Sequence, residues 1–279
     1  MQNSVFKTIF LSLSLLMLYG CSEEFSQQPA NPKSESDLTI YSGITMVRPL
    51  KEVVERFEKQ YRVSIHIEQG ASNYLYKTIN LEKHGDIFLP GSNYYRTTYK
   101  KDGHMTYHKL VGFNRLALVT AKGNPKAIEL KIDSLLDPHY SVVLPSPDSS
   151  SVGKAAENLL KELGIRDDVY KNVSYFTTDS HKINQAVREG KADIALNWYA
   201  TTFWKESKFV VDAVIIDPTL SKPKQLELNL LSFSKKPELA RRFIDFATRP
   251  ENLESFHKYG FLTDNELAQL NLEYKSTHQ

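Results

Sequence analysis

A short polar turn recurs along this chain, each time between an alternating apolar run and an amphipathic helical run. The clearest copy is EQGASN at 68–73, between the apolar run 63–67 and the helix-like run 74–81. Similar turns occur at 42–45, 91–93, 148–153 and 179–180. Strand, turn and helix repeated in this way predict an α/β protein in which central, mostly parallel sheets are flanked by helices.

The same turns also indicate what kind of ligand the protein binds. A turn that opens a helix presents backbone N–H groups at the positive end of the helix dipole, often with a small hydroxyl beside them. A single turn of this kind is commonly a plain N-cap. Because the turn recurs and the sequence contains no catalytic motif beside it, the set indicates a receptor for a small anion.

Length and charge narrow the class of protein. A chain of 279 residues is long enough for one large core or for two lobes. Its 35 Lys and Arg residues nearly balance its 33 Asp and Glu residues, and the charges are interspersed. The sequence has no basic stripe of the kind that binds nucleic acid, so we expect no nucleic-acid partner.

Residues 1–20 are predicted to be a signal peptide. Lys7 supplies the positive charge, and the apolar run that follows is shorter than the roughly 20 residues that span a bilayer. The end of this segment, LYGC, resembles the lipobox of bacterial lipoproteins, in which the cysteine is lipidated after cleavage. Lipidation at Cys21, the only cysteine, would place the protein on the periplasmic or extracellular face of a bacterial membrane. The alternatives are a core cysteine or an uncleaved anchor.

The rest of the chain divides into a tether and two lobes. Residues 21–37 are rich in Ser, Gln, Glu and Pro and are predicted to be flexible. The run 111–120 is interpreted as a strand that leaves one lobe for the other, and the chain returns near 213. We therefore predict a first lobe of 38–114 and 213–279, a second lobe of 115–212, and movement about crossover strands near Val119 and Val214.

Seven short strings stand in a distinctive order and spacing: LTIY at 38–41, GAS at 70–72, GDIF at 85–88, GKAD at 190–193, YAT at 199–201, FIDF at 243–246 and KYGF at 258–261. In that order, from about residue 38 to 261, they resemble the periplasmic molybdate-binding proteins of ABC importers, within the type II solute-binding fold. The resemblance implies a two-lobed protein that is not an enzyme, needs no cofactor or metal, acts as a monomer and delivers molybdate or tungstate to an ABC permease.

The resemblance also implies which residues hold the ion. Proteins of this family bind a tetrahedral oxyanion between the lobes through neutral donors, with two hydroxyls from one lobe and amides plus a tyrosine from the other. Carried over by position, the ligand-binding residues are Thr45, Ser72, Ser151, Val152, Ser180 and Tyr199.

The sequence departs from the family pattern at three places. Thr45 stands where a serine is common, and Thr202 stands where an acidic residue is common. One extra residue precedes Tyr199, so Trp198 can take the place of the tyrosine. An indole there would suit a larger or organic ligand.

Two other classes of protein fit the sequence less well. A serine hydrolase would need a nucleophile elbow of the form GxSxG, which is missing, and His181 beside Ser180 is poorly placed to act as a base. The pair Gly153 and Lys154 lacks the remainder of a phosphate-binding loop.

A metal receptor could use His104 and His108, but no Glu or Cys near them completes a ligand set.

Two alternatives remain open. Aromatic clusters at 74–76, 94–99 and 198–204 could pack against an organic phosphate or carboxylate. The chain could also be an accessory surface lipoprotein that serves no transporter.

Overall fold

A computed structural model describes residues 36–277. Their strands form two five-stranded sheets, and helices cover both. The predicted signal peptide, Cys21 and nearly all of the predicted tether lie outside the described residues.

The first sheet has the strand order β2-β1-β3-β10-β4. Its strands are β1 Leu38–Gly43, β2 Ile65–Gly70, β3 Ile87–Leu89, β4 Met105–Asn114 and β10 Lys224–Leu231. The helices of this first lobe are α1 Val47–Tyr61, α2 Ser72–Glu82, α3 Tyr94–Thr98, α7 Pro237–Ala247, α8 Pro250–Lys258 and α9 Asp264–Thr277, and its 3-10 turns are Ile44–Met46 and Lys100–Asp102.

The second sheet has the order β7-β6-β8-β5-β9. Its strands are β5 Leu116–Ala121, β6 Val142–Pro145, β7 Val173–Thr177, β8 Ile194–Trp198 and β9 Val211–Ile215. The helices of this second lobe are α4 Ser151–Glu162, α5 Arg166–Asn172 and α6 Ser180–Arg188, and its 3-10 turns are Ile132–Leu136 and Tyr199–Phe203.

The predicted two-lobed α/β architecture is confirmed, with one difference in strand direction. In each sheet two ladders are parallel and two are antiparallel, so the sheets are mixed rather than mostly parallel. The antiparallel ladders all involve β10 or β5. The chain enters the second lobe on β5 and returns to the first lobe on β10. Neither strand is reached through a crossover helix from a strand of its own sheet, and that is the connection that makes neighbouring strands parallel.

The chain passes between the lobes at Arg115 and again between β9 and β10. β4 ends at Asn114 and β5 begins at Leu116, so the single run expected at 111–120 is two strands. β9 pairs with β5 along its whole length, and the boundary expected at 213 therefore falls inside a second-lobe strand. Val119 and Val214 both lie within the second sheet, so neither residue is at a crossing.

Each lobe has its own apolar core. The first lobe buries side chains such as Phe57, Phe243 and Phe256 between its sheet and α1, α7 and α8. The second lobe buries Leu144, Leu159 and other aliphatic side chains under α4 and α6. A fully buried side chain of this kind contributes about 1.5 to 3 kcal/mol, so both lobes are rigid supports for the loops between them.

Candidate binding site

A small cavity lies between the lobes, where strands of both sheets end and helices begin. The first lobe contributes the ends of β1 and β2, and the second contributes the end of β8 and the starts of α4 and α6. Its lining residues are Gly43, Ile44, Thr45, Gly70, Ala71, Ser72, Ser150, Ser151, Val152, Asp179, Ser180 and Trp198. The carboxyl ends of strands are where open α/β sheets bind ligands.

Ser72 and Thr45 bring hydroxyl groups from the first lobe to the cavity. Ser72 is the first residue of α2, and its Oγ accepts a hydrogen bond from the N–H of Gly91 at 3.0 Å. The proton of Ser72 must therefore point to another acceptor. Thr45 Oγ1 donates to Met46 Sδ at 2.7 Å, and a thioether is a weak acceptor that an oxyanion would replace.

The start of α4 offers backbone donors from the second lobe. Ser150 caps this helix by accepting from the N–H of Gly153 at 3.2 Å. Within the described part of the chain, the N–H groups of Ser151 and Val152 have no acceptor. Both groups belong to the first turn of a twelve-residue helix and lie at the positive end of its dipole.

The start of α6 is the second amide donor. Asp179 caps the helix, and its Oδ1 accepts from the N–H groups of His181 and Lys182 at 2.9 and 3.1 Å. Its Oδ2 accepts from the hydroxyl of Thr178 at 2.9 Å. The cap leaves the N–H of Ser180, the first helical residue, on the wall of the cavity.

The lining is almost free of charge. Asp179 is the only ionisable residue among the lining residues, and both of its carboxylate oxygens already accept hydrogen bonds. The cavity therefore offers N–H and O–H dipoles without a Lys, Arg or His. Such a site can replace the hydration of an anion without a countercharge.

Trp198, and not Tyr199, lines this cavity. Trp198 is the last residue of β8 and only 1% of its surface is exposed. Tyr199 lies in a separate depression, where its ring packs against Phe203 with centroids 5.7 Å apart. The structure thus brings together all the predicted ligand-binding residues except Tyr199, because successive residues at a strand end point to opposite sides.

A buried amide network holds Trp198 and the start of α6 together. Asn197 Oδ1 accepts from the N–H of Trp198 at 2.9 Å, and Asn197 Nδ2 donates to the carbonyl of Ser180 at 3.1 Å. The same Nδ2 donates to Asn184 Oδ1 at 2.8 Å. Sequence reasoning missed this network. The available signal was an asparagine within the apolar run of β8, since a buried amide needs partners.

Gly91 belongs to the predicted polar turn 91–93 but was not among the predicted ligand-binding residues. A Cβ placed on Gly91 would lie 2.1 Å from Ser151 Oγ and 3.4 Å from Trp198 Nε1. Gly91 belongs to the first lobe, whereas Ser151 and Trp198 belong to the second. A side chain at this position would require the Ser151 hydroxyl to rotate and Ser151 Cβ, at 3.1 Å, to give way by a few tenths of an ångström, so glycine favours this close approach of the lobes.

The cavity is small. Its volume is about 10 Å³, close to the minimum that holds one water molecule. A larger depression of about 640 Å³ lies along Arg48, Phe203, Lys208, Phe209 and neighbouring residues, but the helix starts of α2, α4 and α6 do not line it. The smaller cavity is the better candidate, since the donors converge there.

The aromatic cluster at 76–95 packs inside the first lobe, and His104 lies on the surface. Tyr76 and Tyr95 are buried and pack with Phe88 in the first lobe instead of forming an open platform. His104 contacts Lys83 and Asn80 on the surface. Within residues 36–277, no cluster of His, Cys, Asp and Glu could hold a metal ion.

The fold and the cavity together define a class, the two-lobed binding proteins with a site between the lobes. The chain belongs to the bacterial extracellular solute-binding protein family, whose model matches residues 38–262. None of the helices described in 36–277 has the length and apolar character needed to cross a membrane.

Three proteins illustrate the similarity. The molybdate-binding protein ModA of Rhodobacter capsulatus is 22% identical over 238 residues, which cover 84% of this chain and 92% of that protein. The periplasmic molybdate-binding protein of Azotobacter vinelandii superposes with a TM-score of 0.70 at 14% identity, covering 81% of this chain and 99% of that one. PEB3 of Campylobacter jejuni, solved with L-phospholactate bound, gives 0.62 at 18% identity, covering 80% and 98%. At these identities the structural similarities show the fold.

Proposed function

We propose that this protein captures molybdate or tungstate between its lobes and delivers the ion to an ABC permease. The observation that carries the proposal is the convergence of neutral donors from both lobes on one small cavity without a cation. The donors are the hydroxyls of Thr45 and Ser72 and the amides of Val152 and Ser180, with Ser151 and the Trp198 indole beside them.

A dianion in such a cavity is stabilised by many short hydrogen bonds rather than by one opposite charge. N–H and O–H donors reach oxygen at about 2.7 to 3.1 Å. Each oxygen that loses water must find a donor, because an unpaired acceptor costs about 1 to 3 kcal/mol. A compact ion with four equivalent oxygens can meet donors on every side. At about 10 Å³ the cavity is smaller than either kind of ion, so both require the lobes to open beyond this arrangement, and an ion with an organic substituent requires the larger opening.

An organic phosphate or carboxylate is the second candidate. The favourable observation is the groove of about 640 Å³ whose walls carry Phe203, Phe209 and several basic side chains. PEB3, which has a similar fold, was solved with an organic phosphate. The site of such a ligand would have to extend beyond the twelve lining residues of the small cavity.

The protein would be attached to a membrane through its N-terminal segment. Cys21 would carry a lipid, and residues 22–36 would tether a monomeric binding unit to the membrane. The protein would act by binding and release without catalysis. Ligand would favour the closed form by its greater affinity for that form than for the open one.

Isothermal titration calorimetry of the purified protein against single anions tests the ligand class. We expect saturable 1:1 binding of molybdate and tungstate and weaker or no binding of sulfate, phosphate and L-phospholactate. Binding of L-phospholactate alone would overturn the metal-oxyanion proposal in favour of the second candidate. Absence of binding to every anion would overturn both proposals.

A further inference from the structure

We propose that Asn73 is a positioning residue that clamps the two lobes together over the bound ion. This inference rests on the proposed anion-binding function and deepens it. Asn73 does not line the cavity itself. It directly follows Ser72, the hydroxyl donor at the start of α2.

Asn73 makes two hydrogen bonds across the cleft. Its backbone N–H donates to the carbonyl of Ser149 at 3.0 Å, and its Nδ2 donates to the carbonyl of Asp148 at 2.6 Å. Asn73 belongs to the first lobe, and the two carbonyls belong to the turn before α4 in the second lobe. Only 8% of the Asn73 surface is exposed, so water has little access to this contact.

The turn that accepts these bonds is held firmly by its own lobe. Ser149 Oγ donates to the carbonyls of Thr178 and Ser146 at 2.7 and 3.1 Å, and the Ser149 N–H also donates to Ser146. Across residues 36–277, the carbonyls of Asp148 and Ser149 have Asn73 as their hydrogen-bond donor. They are thus fixed acceptors that face the first lobe.

The clamp and the ion hold the same two segments. Ser72 and Asn73 are adjacent in the first lobe, and the Asp148 turn leads directly into Ser151 and Val152 in the second. Both interactions exist only when the lobes meet, so each favours the form in which the other is made. A weakened clamp should therefore speed release of the ion more than it slows capture.

A second contact between the lobes, the ion pair of Arg48 and Glu206, is a weaker candidate for this role. About a third of each side chain is exposed, at 31% and 33%. Exposed ion pairs contribute little because water and salt screen them. The buried Asn73 contact is also the one that adjoins the donors.

Stopped-flow fluorescence with molybdate tests the clamp, since Trp198 in the cavity is one of only two tryptophans. We expect Asn73→Ala to raise Kd about 3- to 10-fold, as for one lost hydrogen bond. The change should lie in the dissociation rate, with the melting temperature of the ligand-free protein unchanged. Asn80→Ala is the matched control, because Asn80 lies on the same helix and, among residues 36–277, its side chain hydrogen-bonds to Lys83 and His104 of its own lobe.

A disulfide provides a test that needs no ligand. In a Cys21→Ser background, Asn73→Cys combined with Asp148→Cys should form a cross-link under mild oxidation, because the Asn73 side chain reaches the Asp148 backbone, whereas Asn80→Cys with Asp148→Cys should not. Wild-type dissociation kinetics in Asn73→Ala, or no cross-link between 73 and 148, would overturn the clamp. If the wild-type protein binds no molybdate, the proposed function fails, and the cross-link alone decides whether these turns meet.

Discussion

Gly91 of the first lobe lies against Ser151 of the second so closely that a Cβ on Gly91 would be 2.1 Å from Ser151 Oγ. The contact is made at the cavity wall, next to the first turn of α4. An alanine at this point in the turn after β3 would require the Ser151 hydroxyl to rotate and the lobes to shift slightly. The closed form is therefore sensitive to one methyl group here.

Gly91→Ala should weaken anion binding about 3- to 10-fold, while the separate lobes stay folded. The Ser151 hydroxyl at 2.1 Å can rotate away, but Ser151 Cβ at 3.1 Å gives way only if the lobes shift by a few tenths of an ångström. Calorimetry measures the affinity, and the ligand-free melting temperature serves as the control. Gly153→Ala is a useful contrast, because its Cβ would meet the Ser146 carbonyl at 2.0 Å within one lobe and should destabilise the ligand-free protein itself.

Ser72→Ala should weaken binding by about 1 to 3 kcal/mol, since it removes a donor and leaves an oxygen of the ion unpaired. The N–H of Gly91 also loses its acceptor, which adds to the effect. Ser134→Ala is the matched control, because Ser134 is buried in the second lobe and donates to the carbonyl of Glu129, away from the cavity. Unchanged affinity in Ser72→Ala would place the site elsewhere.

Trp198→Phe should reduce affinity about tenfold by removing the indole N–H, whereas Tyr199→Phe should have no effect. The reason is that Trp198 lines the cavity and Tyr199 lies in a different depression. Titrations of both variants can be compared directly. The opposite pattern would mean that the phenol and not the indole faces the ligand.

The sequence predicted the fold and most of the cavity because both depend on local patterns. Ser72, Ser151 and Ser180 each begin a helix, and a helix start can be read from the turn before it. Trp198 and Tyr199 could not be distinguished, since a shift of one residue in a strand reverses the side chain's direction. Asn73 and Gly91 lie in turns that the sequence singled out, but their contacts were not predicted because the partner residues are distant in sequence and meet them only across the closed cleft. The break at Arg115 was missed because the run 111–120 is apolar on both sides of it.

The stability of the first lobe should depend on pH through Glu52. Burial alone would raise the pKa of this carboxyl, but hydrogen bonds from Lys258, Ser255 and Tyr259 outweigh it and hold the pKa below its ordinary value of 4.5. A lowered native pKa means that the contribution is present above pH 4.5 and is lost as pH falls through the native value. Glu52→Gln should therefore lower the free energy of unfolding by about 1 kcal/mol at pH 7. Chemical denaturation should show the difference shrinking at pH 3, and a constant difference would contradict this assignment.

Cys21→Ser should release the protein from membranes if Cys21 is lipidated. The variant is expected in the soluble fraction after cell lysis, and the wild-type protein in the membrane fraction. A variant that stays in the membrane fraction would indicate an uncleaved anchor.

The most direct test of the central claim is the melting temperature of the purified protein with molybdate, tungstate, sulfate, phosphate and L-phospholactate, each added separately. At a hundredfold excess over Kd, a ligand that binds only the folded state adds about 2.7 kcal/mol, which raises Tm by roughly 5 to 10 °C for a chain of this size. Neutral donors converging on one small cavity predict this rise with molybdate and tungstate. A rise with L-phospholactate alone, or with none of the five anions, would contradict capture of a metal oxyanion at this site.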